Sequence, residues 1–245
     1  MYSSRFMGNK AYLVTYKTVD PLFVIDLSNE TKPTVLGELH IPGYSTYLHP
    51  YDENHLIGIG METEEIVNKN SIGKVTSTTS KITGMKMALF DVSDVNNPTQ
   101  LSQTIIGDSR TTSAILTNPK ALLFSKEKQL LAIPVNNYSE DFEIDSSIDS
   151  YSSIVDSYTN YNKSYVSEGY FVYKININDG FNLKGVITHE TSQKNKNQSS
   201  YSYNYYNSKL LRGLYIDNNL YTISETAIKV NNLDTLELID ELKIK

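Results

Sequence analysis

Apolar and polar positions alternate along the chain in short runs, and one order of runs returns four times. Three segments share an apolar core: Leu22-Phe23-Val24-Ile25-Asp26-Leu27-Ser28, Met87-Ala88-Leu89-Phe90-Asp91-Val92-Ser93 and Tyr170-Phe171-Val172-Tyr173-Lys174-Ile175-Asn176. A polar turn follows each, then a second apolar run: Val35 to Ile41, Gln100 to Ile106 and Leu183 to His189. Pro33 and Pro98 close two of these turns, each seven residues after an aspartate. Proline's fixed φ and missing N–H suit a turn better than a central strand. Upstream of the cores lie Ala11 to Tyr16, His55 to Gly60 and Gln129 to Val135, with Leu220 to Ser224 in the fourth repeat. Strong turn formers precede them: Gly8-Asn9, Asp52-Glu53-Asn54, Lys126-Glu127-Lys128 and Asp217-Asn218-Asn219. The outermost runs are Ser4 to Met7, Ser45 to His49, Ser113 to Thr117 and Leu211 to Ile216, and Ala227 to Leu233 and Leu238 to Ile244 complete the fourth repeat.

Each repeat is thus predicted to be a meander of four short strands, rich in Val, Ile, Leu, Tyr and Phe. Radial repetition of that unit makes a β-propeller, whereas a β-sandwich needs no internal repetition. The prediction is an all-β chain, one domain over 1–245, with blades at about 4–43, 45–108, 113–190 and 210–244. Four blades are either a complete small ring or part of a larger propeller.

In a blade with strands A to D, the B–C and D–A connections lie on one face. The three long connections, 61–85, 136–169 and 190–209, are all of these two kinds. They are therefore predicted to project from one face, and connections of this length are commonly functional or disordered. Of the 19 tyrosines, 11 lie between Tyr138 and Tyr206, interleaved with Ser and Asn. Such surfaces bind well, because the ring is rigid and amphipathic while Ser and Asn adapt their hydrogen bonds. The candidate ligand-binding residues are Tyr151, Tyr158, Tyr161, Tyr165, Tyr201, Tyr203, Tyr205 and Tyr206. The competing reading is a solvated low-complexity loop. Within 136–169, Asp141, Glu143 and Asp145 alternate as in a calcium loop, but the glycine of the sixth position and the closing glutamate are missing, so no metal site is assigned. Ile144, Ile148, Tyr151, Val155 and Tyr158 fit the spacing of a short amphipathic helix.

Composition narrows the function classes. The chain has 245 residues, 39% of them hydrophobic, enough to build a core. A net charge of −6 with no basic stripe argues against nucleic acid, and no apolar run reaches the length of a membrane-spanning helix. The absence of cysteine excludes disulfides, thiolate chemistry and Cys-ligated zinc. The four histidines show no HxH or HExxH spacing, and no P-loop, GxGxxG or GxSxG signature is present, so neither cofactor nor catalytic residue is assigned. Asp26 and Asp91 repeat at one position and are read as turn holders. Arg5, His49 and Arg212 fall on A strands, which line a propeller's axis, and are the channel candidates.

The runs Arg5-Phe6-Met7-Gly8-Asn9-Lys10-Ala11-Tyr12-Leu13-Val14-Thr15, Asp20 to Ser28 and Gly43 to Gly60, with Leu131 to Val135 and Leu220 to Ser224, resemble secreted bacterial proteins that carry a C-terminal β-propeller domain distantly related to WD40 repeats. The resemblance covers the chain outside the insertions. It implies an extracellular or surface-attached protein and a longer parent chain, which fits an N-terminus with neither a charged n-region nor an apolar h-region. It supplies no catalytic residues. The expected function is a non-catalytic binding module that recognises a protein or a cell-envelope glycan through the Tyr-rich face. The alternative is a cell-envelope hydrolase or lyase acting at the channel mouth.

Overall fold

The computed structural model describes residues 3–15, 20–139, 165–189 and 209–244. Its strands form four antiparallel sheets, each with its strands in chain order. Blade 1 comprises β1 (Ser3–Met7), β2 (Lys10–Val14), β3 (Asp20–Asp26) and β4 (Thr34–Ile41). Blade 2 comprises β5 (Tyr44–Pro50), β6 (His55–Lys69), β7 (Val75–Asp91) and β8 (Thr99–Ile106). Blade 3 comprises β9 (Leu123–Ser125), β10 (Leu130–Ser139), β11 (Tyr165–Asn176) and β12 (Gly180–Ile187). Blade 4 comprises β13 (Leu210–Ile216), β14 (Asn219–Ser224), β15 (Ala227–Asn232) and β16 (Leu238–Lys243).

One hydrogen bond recurs in all four blades and fixes their equivalence. The amides of Leu27, Val92, Ile175 and Leu233 each donate at 2.8 Å to a carbonyl of their own A–B turn: Asn9, Asn54, Gln129 and Asn218. The residue before each donor holds the C–D turn in three blades. Asp26 Oδ1 accepts from the Ser28 amide at 2.9 Å, Asp91 Oδ1 from Ser93 at 2.8 Å, and Asn232 Oδ1 from Asp234 at 2.8 Å. These are Asx turns, so the repeated aspartates do structural work. In blade 3 the position is Lys174, and Asn176 takes over, accepting from the Asn178 amide at 2.9 Å.

Two elements differ from the sequence expectation. Ser113 to Thr117 does not form the A strand of blade 3. Ser113 Oγ caps the Ile115 amide, Asn118 Oδ1 caps the Lys120 amide, and Pro119 lacks a donor, so the stretch winds into two 3₁₀ turns, Ala114–Leu116 and Pro119–Ala121. The A strand is the shorter β9, which sits directly before the 126–129 turn and pairs with Leu130 to Ala132. The second difference is at 61–85, which is no loop. It continues the β6–β7 ladder as a two-stranded arm out to the Lys69↔Val75 pair, closed by a turn in which Asn70 Oδ1 accepts from the amides of Ile72 and Lys74. The Thr- and Ser-rich return strand, Val75 to Ser80, suits a solvated ladder.

The core consists of interfaces between consecutive blades. Tyr12, Val14, Leu22 and Val24 of blade 1 pack on Leu48, Leu56, Ala88 and Phe90 of blade 2. Ile57, Ile59, Met87 and Leu89 face Leu131, Ile133, Phe171 and Tyr173 of blade 3. Tyr170, Val172 and Ile187 then face Leu210, Leu220 and Leu233 of blade 4. Among the described residues no such cluster joins blade 4 to blade 1, so the four blades form an open arc.

Candidate functional site

A polar cleft of about 220 Å³ opens where blade 3 meets blade 4, on the face that carries the long connections. Its lining includes Thr112, Ser113, Asn136, Glu168, Lys209 and Leu210. Asn136 and Glu168 lie on β10 and β11, just before and just after residues 140–164, and Lys209 and Leu210 directly follow 190–208. The roots of two insertions therefore build the cleft.

Local chemistry holds these roots in place. Glu168 Oε1 accepts from the Leu210 amide at 2.7 Å, tying one root to the other. Thr112 and Asn136 exchange backbone hydrogen bonds of 3.1 and 2.8 Å. Thr111 Oγ1 donates to the Tyr138 carbonyl at 3.1 Å and accepts from the Tyr138 amide at 3.0 Å. The Arg110 guanidinium lies over the Tyr138 ring, 5.5 Å from its centroid. Gly107 makes the approach possible: its φ is 58°, and a Cβ there would sit 2.0 Å from Thr111 Oγ1. A carboxylate, an exposed ammonium, hydroxyls and an amide thus line one small concavity, a donor and acceptor set suited to a hydroxyl-rich ligand.

Tyr165 opens β11, opposite Ser139. Tyr151, Tyr158, Tyr161, Tyr201, Tyr203, Tyr205 and Tyr206 lie outside the described residues, as do the acidic stretch and the candidate helix. Of the channel candidates, Arg5 and His49 come together and Arg212 stands apart. Tyr47 Oη and His49 Nδ1 share a hydrogen bond of 3.0 Å, and the His49 ring meets Phe124 of β9 edge-on at 5.0 Å. Burial, with the nearby Arg5 charge second, pulls the His49 pKa down to about 4. Arg212 pairs with Ile223 and is exposed on the face of blade 4 turned away from blade 3. Sequence reasoning missed Glu168 and Lys209; their one legible signal was their position at the ends of the insertions. No group of three or more His, Asp or Glu side chains able to hold a metal occurs among the described residues.

His189 repeats the behaviour of His49 at the interface of blades 3 and 4. Its Nε2 and Thr222 Oγ1 share a hydrogen bond of 2.7 Å, and burial followed by the Lys229 charge lowers its pKa to about 4. Both rings therefore stay neutral in the fold, while the unfolded chain takes up protons below about pH 6.5. Their contribution to stability is present above pH 6.5 and is lost as the pH falls toward 4. Between pH 7 and pH 5 the protein is expected to lose about 2 kcal/mol, allowing for incomplete burial. Urea unfolding across that range checks this, and a variant with His49→Phe and His189→Gln should show a flatter profile.

A family model described as a beta propeller domain matches residues 1–236. The chain belongs to this β-propeller family. An uncharacterized protein of Methanocaldococcus jannaschii is 40% identical to it over 145 residues, 59% of this chain and 20% of the relative. An uncharacterized protein of Archaeoglobus fulgidus is 34% identical over 134 residues, 55% of this chain and 18% of the relative. The matched stretch of the β-propeller thus spans about a fifth of these relatives' length, and both are archaeal where the resemblance pointed to bacterial proteins. Among solved structures, a cobalt-substituted Synechocystis apocarotenoid oxygenase is similar with a TM-score of 0.40 and 9% identity, over 96% of this chain and 46% of that one.

Proposed function

We propose that this β-propeller is a non-catalytic, extracellular binding module that takes a cell-envelope glycan or a protein segment into the cleft between blades 3 and 4. The carrying observation is the Glu168–Leu210 bond, which joins the roots of the two Tyr-rich insertions around a polar concavity. The tyrosines of those insertions offer aromatic faces for sugar rings and hydroxyls for their edges. The polar lining favours the glycan over an apolar peptide.

Titration with purified cell-envelope polysaccharide tests the reading. Lys209→Glu and Asn136→Ala should each weaken binding by about tenfold or more with the melting temperature unchanged, and deletion of 140–164 should abolish it. Binding that survives all three changes would reject the cleft as the site. The enzyme reading draws on Arg5 standing beside the Tyr47–His49 pair. It ranks second, because Arg212 lies on a different face and His49 already spends Nδ1 on Tyr47 and its ring face on packing.

A further inference from the structure

Four Asn-x-Ser/Thr triplets occur in the chain: Asn29-Glu30-Thr31, Asn137-Tyr138-Ser139, Asn162-Lys163-Ser164 and Asn197-Gln198-Ser199. In an exported protein such a triplet accepts an N-linked glycan where it stands on a reachable surface loop. Asn162 and Asn197 lie outside the described residues. The other two are built in opposite ways.

Asn29 sits in the C–D turn of blade 1, where residues 28–35 are all exposed. Its Oδ1 accepts from the Thr31 amide at 3.1 Å and from the Thr31 hydroxyl at 2.9 Å. Both bonds use the oxygen, and among the described residues Nδ2 donates to none. The acceptor amide and the hydroxyl that marks it are therefore presented side by side.

Blade 2 shows that neither side chain is required by the turn. Counting from the equivalent donors Leu27 and Val92, Asp94 and Asn96 stand where Asn29 and Thr31 do. Asp94 Oδ1 accepts from the Asn96 amide at 3.0 Å, and each turn is closed by a backbone bond of 3.1 Å, Lys32 to Asn29 and Asn97 to Asp94. An aspartate thus makes the same Asx turn with no acceptor amide and no hydroxyl. Asp94 and Asn96 are exposed even though Val95 between them packs toward blade 1. A blade docked ahead of blade 1 in the same way would leave Asn29 and Thr31 at the surface.

Asn137 is the opposite case. It is held in the β10–β11 ladder opposite Ser167, its Oδ1 is buried, and a Cβ on Gly107 would stand 2.4 Å from that oxygen. The Tyr138 carbonyl accepts from the Asp108 amide at 2.7 Å, so this triplet cannot leave the ladder without losing that bond.

We infer that Asn29 is an N-glycosylation site and Asn137 is not, an inference that rests on the extracellular reading above. The donor is a saccharide carried through its anomeric carbon on a polyprenyl phosphate or diphosphate, presented by a membrane transferase. Asn29 Nδ2 forms a bond to the anomeric carbon, and the bond from that carbon to the phosphate oxygen breaks. Its electron pair leaves with the lipid phosphate, Nδ2 gives one proton to the transferase, and nothing is oxidised or reduced. In each blade the C–D turn and the B–C connection lie at opposite ends of strand C, so the glycan stands on the face away from the cleft. There it adds a bulky, solvated cover and leaves the cleft open.

Peptide mapping by mass spectrometry, on protein isolated from its own cells with the cell fraction recorded, tests the site. The expected result is a saccharide mass on Asn29 and none on Asn137. Thr31→Ala keeps the amide and should abolish the modification, while Thr31→Ser should retain it. Asn29→Asp should also abolish it, and in recombinant, unmodified protein the same change should leave the urea midpoint and polysaccharide binding as in the wild type. Exported protein with a bare Asn29 would overturn the site alone and leave the extracellular reading intact. Bare protein inside the cell would overturn both. A glycan that survives Thr31→Ala, or one on Asn137 in place of Asn29, would overturn the assignment.

Discussion

Replacing Glu62 with alanine is expected to destabilise the protein by about 3–5 kcal/mol, the cost of leaving an uncompensated charge in a buried site. Glu62 and Lys86 are both buried polar residues of blade 2, on adjacent strands where the β6–β7 arm leaves the blade. Lys86 Nζ lies 3.2 Å from Glu62 Oε2 and also donates to the carbonyl of Pro42. Glu62 Oε1 accepts from the Thr63 amide at 3.0 Å. Burial lowers the Lys86 pKa, and Glu62 works in the opposite direction by favouring the charged form. Lys86 sits among Val14, Leu22, Ile41 and Phe90 at the interface of blades 1 and 2, where an ammonium left without its carboxylate faces mostly apolar neighbours. Removing both charges, in Glu62→Leu with Lys86→Met, should cost far less than either single change, because apolar groups of similar volume then fill the space. A double-mutant cycle in urea gives the coupling directly. A Glu62→Ala protein within 1 kcal/mol of the wild type would show that the lysine relaxes to solvent and that the pair does not hold the base of the arm.

Blade number, strand order and most strand positions were legible in the sequence, because a blade buries alternate residues and alternation at fixed spacing is visible without coordinates. Asp26 and Asp91 were legible for a different reason: a turn that needs a side-chain acceptor for the amide two residues on leaves a short polar residue at a fixed place. The misplaced strand at Ser113 to Thr117 shows the limit. Its Ile115 and Leu116 are apolar enough for a strand, but Ser113, Asn118 and Pro119 divert the backbone into capped turns, and the apolar count does not register caps. The arm at 61–85 escaped for the opposite reason. Its residues beyond Glu62 are exposed, so no buried stripe marks them as strand, and cross-strand pairing alone builds it. The cleft was half legible: the insertions announced a face, but the Glu168–Leu210 bond joins residues 42 apart and depends on how blade 4 docks on blade 3. Open ends were the least legible, since Ile228 and Val230 read as core by pattern and only the fold shows that nothing in the described chain lies over them.

Tyr170→Ala is expected to cost about 3–5 kcal/mol and to loosen blade 4 selectively. The ring is fully buried at the interface of blades 3 and 4, among Leu130, Ile187, Leu210 and Leu220, and its hydroxyl donates to the Ala121 carbonyl at 3.4 Å. Burial drives its pKa well above the ordinary tyrosine value, opposed only in part by a hydrogen bond with the Gly213 backbone. Blade 4 approaches the ring backbone-first: a Cβ at Gly213 would stand 2.8 Å from the phenol carbon and oxygen. Gly213→Ala should therefore cost about 1–3 kcal/mol by overpacking, through the same contact and with no cavity. A blade array is stabilised by nearest-neighbour interfaces, and within the arc blade 4 has one while blades 2 and 3 have two. Hydrogen exchange on the Tyr170→Ala protein should accordingly show lost protection in 210–243 and little change in 44–106. Equal loss in every blade would mean that the arc unfolds as one cooperative unit, and that its interfaces communicate beyond nearest neighbours.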